Sequence, residues 1–275
     1  MSANHGLRVA AVASAPVDWH SMAARVISVA NQKGGVGKTA TTANLGICLY
    51  QMGKRVLVVD MDPQGNLTLS LAACDNIEYT VADALLDHKA DLPTVEVFHG
   101  LESRMDLVPT TLALASAEAA LVNKLGREFR LRDQLAKVSD SYDFILIDTP
   151  PSLGLLTINA LVAAHLVLIP TEARFFSLQG LQMLQGSIDE ILYINPQLKI
   201  LGILLSKFDR RLGEEKTVAQ YLRDNWGALV FETSVGTNSK ILEAASTGIP
   251  LTQLKGAQRA VDAYRELARE VLTRV

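Results

Sequence analysis

Residues 30–40 read ANQKGGVGKTA, and the reading of this stretch decides the fold. It follows a β-branched apolar run, Arg25–Asn31 (RVISVAN), that reads as a buried strand. It precedes a helical pattern from Gly37 to about Met52, which Gly53 stops. Strand, glycine-rich turn and helix opening on Lys-Thr is the context in which backbone N–H groups close around phosphate oxygens. Gly34, Gly35, Val36 and Gly37 would form the cradle, and the helix N-terminus adds its positive end. Lys38 would reach the β- and γ-phosphates of a nucleotide, Thr39 would ligate Mg²⁺ through its hydroxyl, and Ala40 would offer a backbone N–H.

The stretch carries a second lysine, Lys33, on the other side of the glycines. The usual pattern has a glycine five residues before Gly37, and here that position is Gln32. A solvated surface lysine is the plain explanation of Lys33. Yet a fixed cation beside a site already served by Lys38 is costly unless it also neutralises phosphate. Its place ahead of the turn points it away from its own loop, toward a nucleotide held by a second subunit.

Outward from this loop, apolar strands alternate with helices. RVLVVDMD (55–62), MDLVPT (105–110), DFILIDTPP (143–151), HLVLIPT (165–171) and LKILGILLSKFD (198–209) read as strands. Helical patterns fall at about 112–121, 128–136, 155–164, 177–193, 214–225, 241–246 and 258–273. Residues 76–101 are the least regular and read as a surface excursion with a short helix over Val81–Leu86. The expected fold is α/β: a mostly parallel twisted sheet with helices on both faces. Residues 22–275 are expected to form one domain. Residues 1–21 read as a flexible extension, only faintly like a signal peptide, and Met22 is a natural alternative start.

The carboxylates sit where strands end, the rim at which such sheets bind ligands. Asp60 and Asp62 lie in VVDMDPQGN and would project to the same side if the strand persisted. Like charges there call for a cation or ordered water, although an N-cap for the next helix is also open to either. Asp148 ends FILID, where an acid can hold Mg²⁺ through water.

The whole chain has net charge −3, so any DNA contact must be local. From Leu204 onward, eleven Lys/Arg stand against nine Asp/Glu. Arg210, Arg211, Lys240, Lys255 and Arg259 are the candidates for phosphate contacts, with a solvated face as the alternative for each. Cys48 and Cys74 lie far apart without a C-x-x-C partner, against both a disulfide scaffold and a zinc site, and in keeping with a reducing cytoplasm. No run of about 18 apolar residues suggests a membrane span.

Together NQKGGVGKT, DMDPQGN and DFILIDTPPSLG resemble the deviant Walker A P-loop ATPases of the ParA/MinD group, and ParA/Soj partition ATPases in particular. The resemblance runs from about Ala24 to the C-terminus. It implies an ATP-sandwich homodimer in which Lys33 reaches the partner's nucleotide. It gives Asp62 the orientation of the attacking water and Asp60 a supporting place in the magnesium shell. Gln64 and Asn66 would belong to the dimer face or the water network. Adenine would lie near Lys207-Phe208-Asp209 and residues 235–238, where this chain lacks a proline frequent in the family. Ala40 replaces a family threonine, and Thr237 stands where an arginine is expected.

By the same resemblance the ATP-bound dimer binds non-specific DNA on the nucleoid in the cytoplasm. A ParB-like partner would stimulate slow basal hydrolysis. A ParA-like ATPase positioning a protein cargo through an adaptor is the alternative, ahead of a metabolic enzyme of the dethiobiotin synthetase type. The last helix mixes four Arg with three acids and reads as a packing helix, not as the membrane anchor of a MinD-like protein. The iron-protein branch lacks its cysteines.

Overall fold

The structure is a computed structural model and describes residues 23–71 and 77–275. The extension 1–21 and Cys74 therefore lie outside the described residues.

Eight strands form one sheet: β1 (Arg25–Val29), β2 (Arg55–Asp60), β3 (Val95–His99), β4 (Arg104–Val108), β5 (Phe144–Asp148), β6 (Leu166–Glu172), β7 (Lys199–Ser206) and β8 (Val230–Val235). Their order is β3-β4-β2-β5-β1-β6-β7-β8. Every pairing is parallel except β3 with β4. The central strands are mostly apolar because both faces are covered, with buried Ser28 in β1 an exception. Successive residues feed opposite cores. Val26, Leu57, Val59, Ile145 and Ile147 join one cluster. Ile27, Val56, Val58 and Leu146 join the other.

The helices are α1 (Lys38–Gln51), α2 (Asn66–Leu71), α3 (Val81–Leu86), α4 (Ala113–Leu121), α5 (Arg130–Ala136), α6 (Leu155–Val162), α7 (Phe175–Ile191), α8 (Gly213–Trp226), α9 (Ser239–Thr247) and α10 (Gln258–Arg274). Helices α3 to α8 supply side chains to the first cluster. Helices α1, α2, α9 and α10 supply the second. Helix α1 is buried along most of its length because α10 covers the side turned from the sheet.

Two strands depart from the sequence reading, and both are borders of the sheet. β3 falls inside the stretch read as a surface excursion. Its residues are half-exposed, so the apolar signal is weak. β8 reads VFETSV, with polar residues along its middle. β2 also ends at Asp60, so the expectation that the strand carries on to Asp62 is corrected. The Asp62 amide turns back to donate to Asp60 Oδ1 at 3.2 Å.

Helix α10 is fastened to the β8 border through its last turn. From Ile203 to Leu205 in β7, β8 advances from Val230 to Ser234. The surplus residues form a bulge, and the amides of Glu232 and Thr233 donate instead to the Glu270 carboxylate at 2.9 and 3.0 Å. Arg274 lies over the Phe231 ring at 4.0 Å and donates to the Leu201 carbonyl at 3.1 Å and to Glu270 at 2.7 Å. Gly202 makes room for it, since a Cβ there would stand 2.5 Å from Phe231 and 2.7 Å from Arg274. Arg274→Ala removes a stacked cation and several charge-assisted hydrogen bonds. It should cost about 2 kcal/mol. Thermal unfolding would then show Tm lowered by roughly 4 to 8 °C.

Candidate functional site

β1, β5 and β2 lie side by side and end together, with Val29 opposite Asp148 and Asp148 opposite Asp60. The loop after β1 and the carboxylates after β2 and β5 therefore share one rim. Asn31 opens the loop by donating to the Pro170 carbonyl at 2.7 Å and accepting the Lys33 amide at 3.0 Å. Gly35 and Gly37 have φ of 74° and 90°, a region closed to most side chains. Ser206, at the end of β7, donates to the Val36 carbonyl at 2.6 Å and pins the turn from outside. Thr149 ties the turn after β5 to the Val29 carbonyl at 2.9 Å.

Lys38 opens α1 and is nearly buried, with its Nζ 3.3 Å from the Lys33 carbonyl. Burial lowers its pKa, and Asp148 and Asp62 act against that shift. Asp148 is fully buried, and neither carboxylate oxygen has a well-formed hydrogen bond. Burial and the neighbouring Asp60 push its pKa well up, while Thr39 and Lys38 favour its charged form. Asp60 is also fully buried, but its oxygens are engaged. Oδ2 accepts the Thr68 amide and hydroxyl, each at 2.8 Å. Burial still raises its pKa to about 6. Helix-end capping, left open from the sequence, is thus part of what Asp60 does. Asp62 accepts the Gln64 amide at 3.0 Å.

The arrangement fits a divalent ion of the oxygen-seeking kind. An orphaned buried carboxylate stands beside the Thr39 hydroxyl at the mouth of an anion cradle. No group of three His, Cys, Asp or Glu able to hold a metal is found among the described residues. Mg²⁺ needs no such cage when substrate phosphates and water complete its shell.

A cavity of about 1070 Å³ opens on this rim, at the upper end of the usual range for small-ligand sites. Gly34, Gly35, Gly37, Lys38, Thr39, Ala40, Asp62 and Gln64 line it, with Lys207 and residues 235–238 on the far wall. Tyr264 of α10 closes its floor. Asp209, expected beside the adenine, pairs with Arg211 at 2.7 Å and lines an adjoining cavity of about 580 Å³ that shares residues 236–238 with the main one. Arg210, Arg211 and Arg259 share that second cavity. Lys240 is held by Glu243 at 2.5 Å. Lys255 is exposed, and the adjacent Gly256 lies against the Lys240 side chain. Three of the five candidate cations thus share one cavity, and the other two lie near each other.

Lys33 does not line the main cavity. Its Nζ ion-pairs with Glu172 at 2.9 Å and lies 3.4 Å from Ser177 Oγ. Glu172 also faces Lys207 at 3.5 Å and Arg174 at 3.6 Å. Burial opposes its charge, but these three cations hold its carboxyl below the usual carboxylate range. Lys207 is the one described non-glycine residue with positive φ, 53°. Such backbones gather at functional sites. The sequence reading passed over Glu172 and Ser206. An acid closing the apolar run LVLIPTE was the available signal for the first. A serine ending ILLS gave none.

A family model described as an AAA domain matches residues 24–200. The chain is 44% identical over 253 residues to the chromosome partitioning protein ParA of Myxococcus xanthus, covering 91% of this chain and 88% of that protein. It is 41% identical over 255 residues to the sporulation initiation inhibitor protein Soj of Bacillus subtilis, covering 90% and 98%. A solved structure of cobyrinic acid a,c-diamide synthase from Mycobacterium smegmatis, with bound ATP analogue and magnesium, superposes with a TM-score of 0.74 at 36% identity, covering 90% and 94%.

The buried carboxylate gives a test that needs no ligand. A pKa raised on folding means stability is present below the unfolded value, near 4, and is lost as pH rises. Asp148→Asn should therefore melt higher than wild type at pH 7.5, by roughly 3 to 8 °C. The gap should close by about pH 4. Melting curves of the nucleotide-free proteins across pH check this.

Proposed function

The chain belongs to the ParA/MinD-type partition ATPases, and from that premise we propose that it is an ATP-driven dimerisation switch that moves DNA. ATP enters the main cavity with its phosphates in the loop 34–40. Lys38 and the loop amides hold the β- and γ-phosphates, and α1 presents its N-terminus to them. Mg²⁺, held through Thr39 and, across water, by Asp148, would neutralise phosphate charge. Asp62 orients the attacking water, and Asp60 keeps the rim in place through Thr68. Lys207 and residues 235–238 receive the base. Phosphoryl transfer asks mainly for positioning and charge neutralisation, which these residues supply.

The observation that carries the reading is the position of Lys33. Its amine stands outside its own cavity, tied to Glu172 at the outer face. A cation so placed adds little to its own nucleotide, and once released from Glu172 it can turn to that of a second copy. The arginines of the smaller cavity, with Lys240 and Lys255, give the dimer its grip on DNA phosphates. A ParB-like protein then triggers hydrolysis and release; a cargo adaptor in its place is the alternative. No helix among the described residues is long and apolar enough to cross a membrane. The last turn of α10 is fastened to the sheet, where a membrane anchor would need to be free.

Light scattering and DNA retention with and without ATP test this. Asp62→Ala should accumulate an ATP-bound dimer that retains DNA, and Lys33→Ala should remain monomeric at any ATP concentration. Normal dimerisation of Lys33→Ala would end the sandwich reading. Paired replacement of Arg211 and Arg259 by Glu should leave dimerisation intact. DNA retention should fall by at least about tenfold at low salt, with a shallower salt dependence.

A further inference from the structure

Glu172 is one carboxylate among three cations, two of which belong to segments beside the nucleotide cavity. Lys33 leads the phosphate loop, Lys207 overhangs Gly35, and Arg174 begins α7. The Glu172 side chain is 14% exposed and that of Lys33 is 38% exposed, so water screens the pair only in part. Ser177 adds a second contact to the Lys33 ammonium from the first turn of α7. Lys33 is thereby held by its own subunit. The carboxylate at 2.9 Å already offsets the ammonium's charge and fixes its direction, so a phosphate in another molecule must compete for it.

We propose that Glu172 is a positioning residue that withholds Lys33 in the lone protomer and so sets how much nucleotide-bound protein is needed before two copies close. The inference rests on the role of Lys33 given above and adds what opposes it. The partner's triphosphate, richer in charge than a diphosphate, must outcompete the carboxylate for the ammonium. Closing a symmetric pair releases two such tethers, so the penalty enters twice. The neutral isostere Glu172→Gln leaves the shape of the site but removes that competition.

Dimer fraction is read by light scattering against protein concentration, with Mg-ATP and with Mg-ADP, near 50 mM and near 500 mM salt. Glu172→Gln should reach half-dimer with ATP at roughly tenfold lower protein concentration than wild type at low salt, each exposed pair counting for a few-fold. The gap should narrow at high salt, where the pair is screened. Glu172→Asp keeps the charge and should lie nearer wild type. With ADP all should stay monomeric. The double variant Lys33→Ala/Glu172→Gln should behave as Lys33→Ala does.

A Glu172→Gln protein that melts within a few degrees of wild type yet dimerises at the wild-type concentration, or above it, overturns the proposal. So does a double variant that dimerises as readily as Glu172→Gln, since the carboxylate would then act through something other than Lys33. If instead Lys33→Ala alone dimerises normally, it is the sandwich reading that fails. Should Glu172→Gln melt far below wild type, Ser177→Ala, which weakens the same restraint on Lys33 from α7, takes its place and should shift the threshold in the same direction. No shift in that variant would count against the tether.

Discussion

Three like charges crowd one end of the sheet, and the rest of the site is arranged around that crowding. Asp60, Asp62 and Asp148 are brought together because β2 and β5 pair in register with Asp60 opposite Asp148. The two strand-end carboxylates have no access to water. Asp60 is quietened by hydrogen bonds from Thr68, and Asp148 is left facing Thr39 and Lys38. A buried carboxylate without partners is among the costliest features a core can keep. Its presence here is understandable if binding a cation with its phosphates relieves it.

A second electrostatic centre lies on the opposite side of the same loop. There the imbalance is reversed, with one carboxylate, Glu172, among three cations. The loop 34–37 is thus flanked by an acid-rich cluster and a cation-rich one, with Lys207 of the second also lining the main cavity. The loop's conformation is set largely by backbone, with the Lys38 ammonium also 3.3 Å from the Lys33 carbonyl. Glycine torsions and the Ser206 and Asn31 anchors fix it from the backbone side. The cradle can therefore stand ready while the charges on either side change partners.

Much of this was legible in the amino-acid sequence, for physical reasons that differ by element. The central strands declared themselves because burial on both faces leaves little room for polar residues. The phosphate loop did so because backbone with positive φ demands glycine. β3 and β8 were illegible because border strands bury little and carry Glu96 or Glu232 at no cost. Asp62 was placed in the right neighbourhood on a wrong premise: a turn, not an extended strand, brings it beside Asp60. Nothing in the sequence showed that Arg211 would pair with the Asp209 carboxylate. For Glu172 the sequence offered only an acid at the end of an apolar run, and no partner for it. Its importance comes from Lys33, 139 positions away, and only the fold makes them neighbours.

The bulge in β8, sealed by the Glu270 carboxylate, bears on how copies of this chain can add to one another. A flat border strand with open amides invites another chain to extend the sheet, and growth of that kind has no natural stopping point. At this border two amides are already consumed by a side chain of α10. At the far border β3 runs against the grain and is itself kinked between Glu96 and Phe98. Neither margin offers a template for endless ribbons, so clustering is left to faces whose charge a bound nucleotide can alter, and an assembly built that way can be taken apart again.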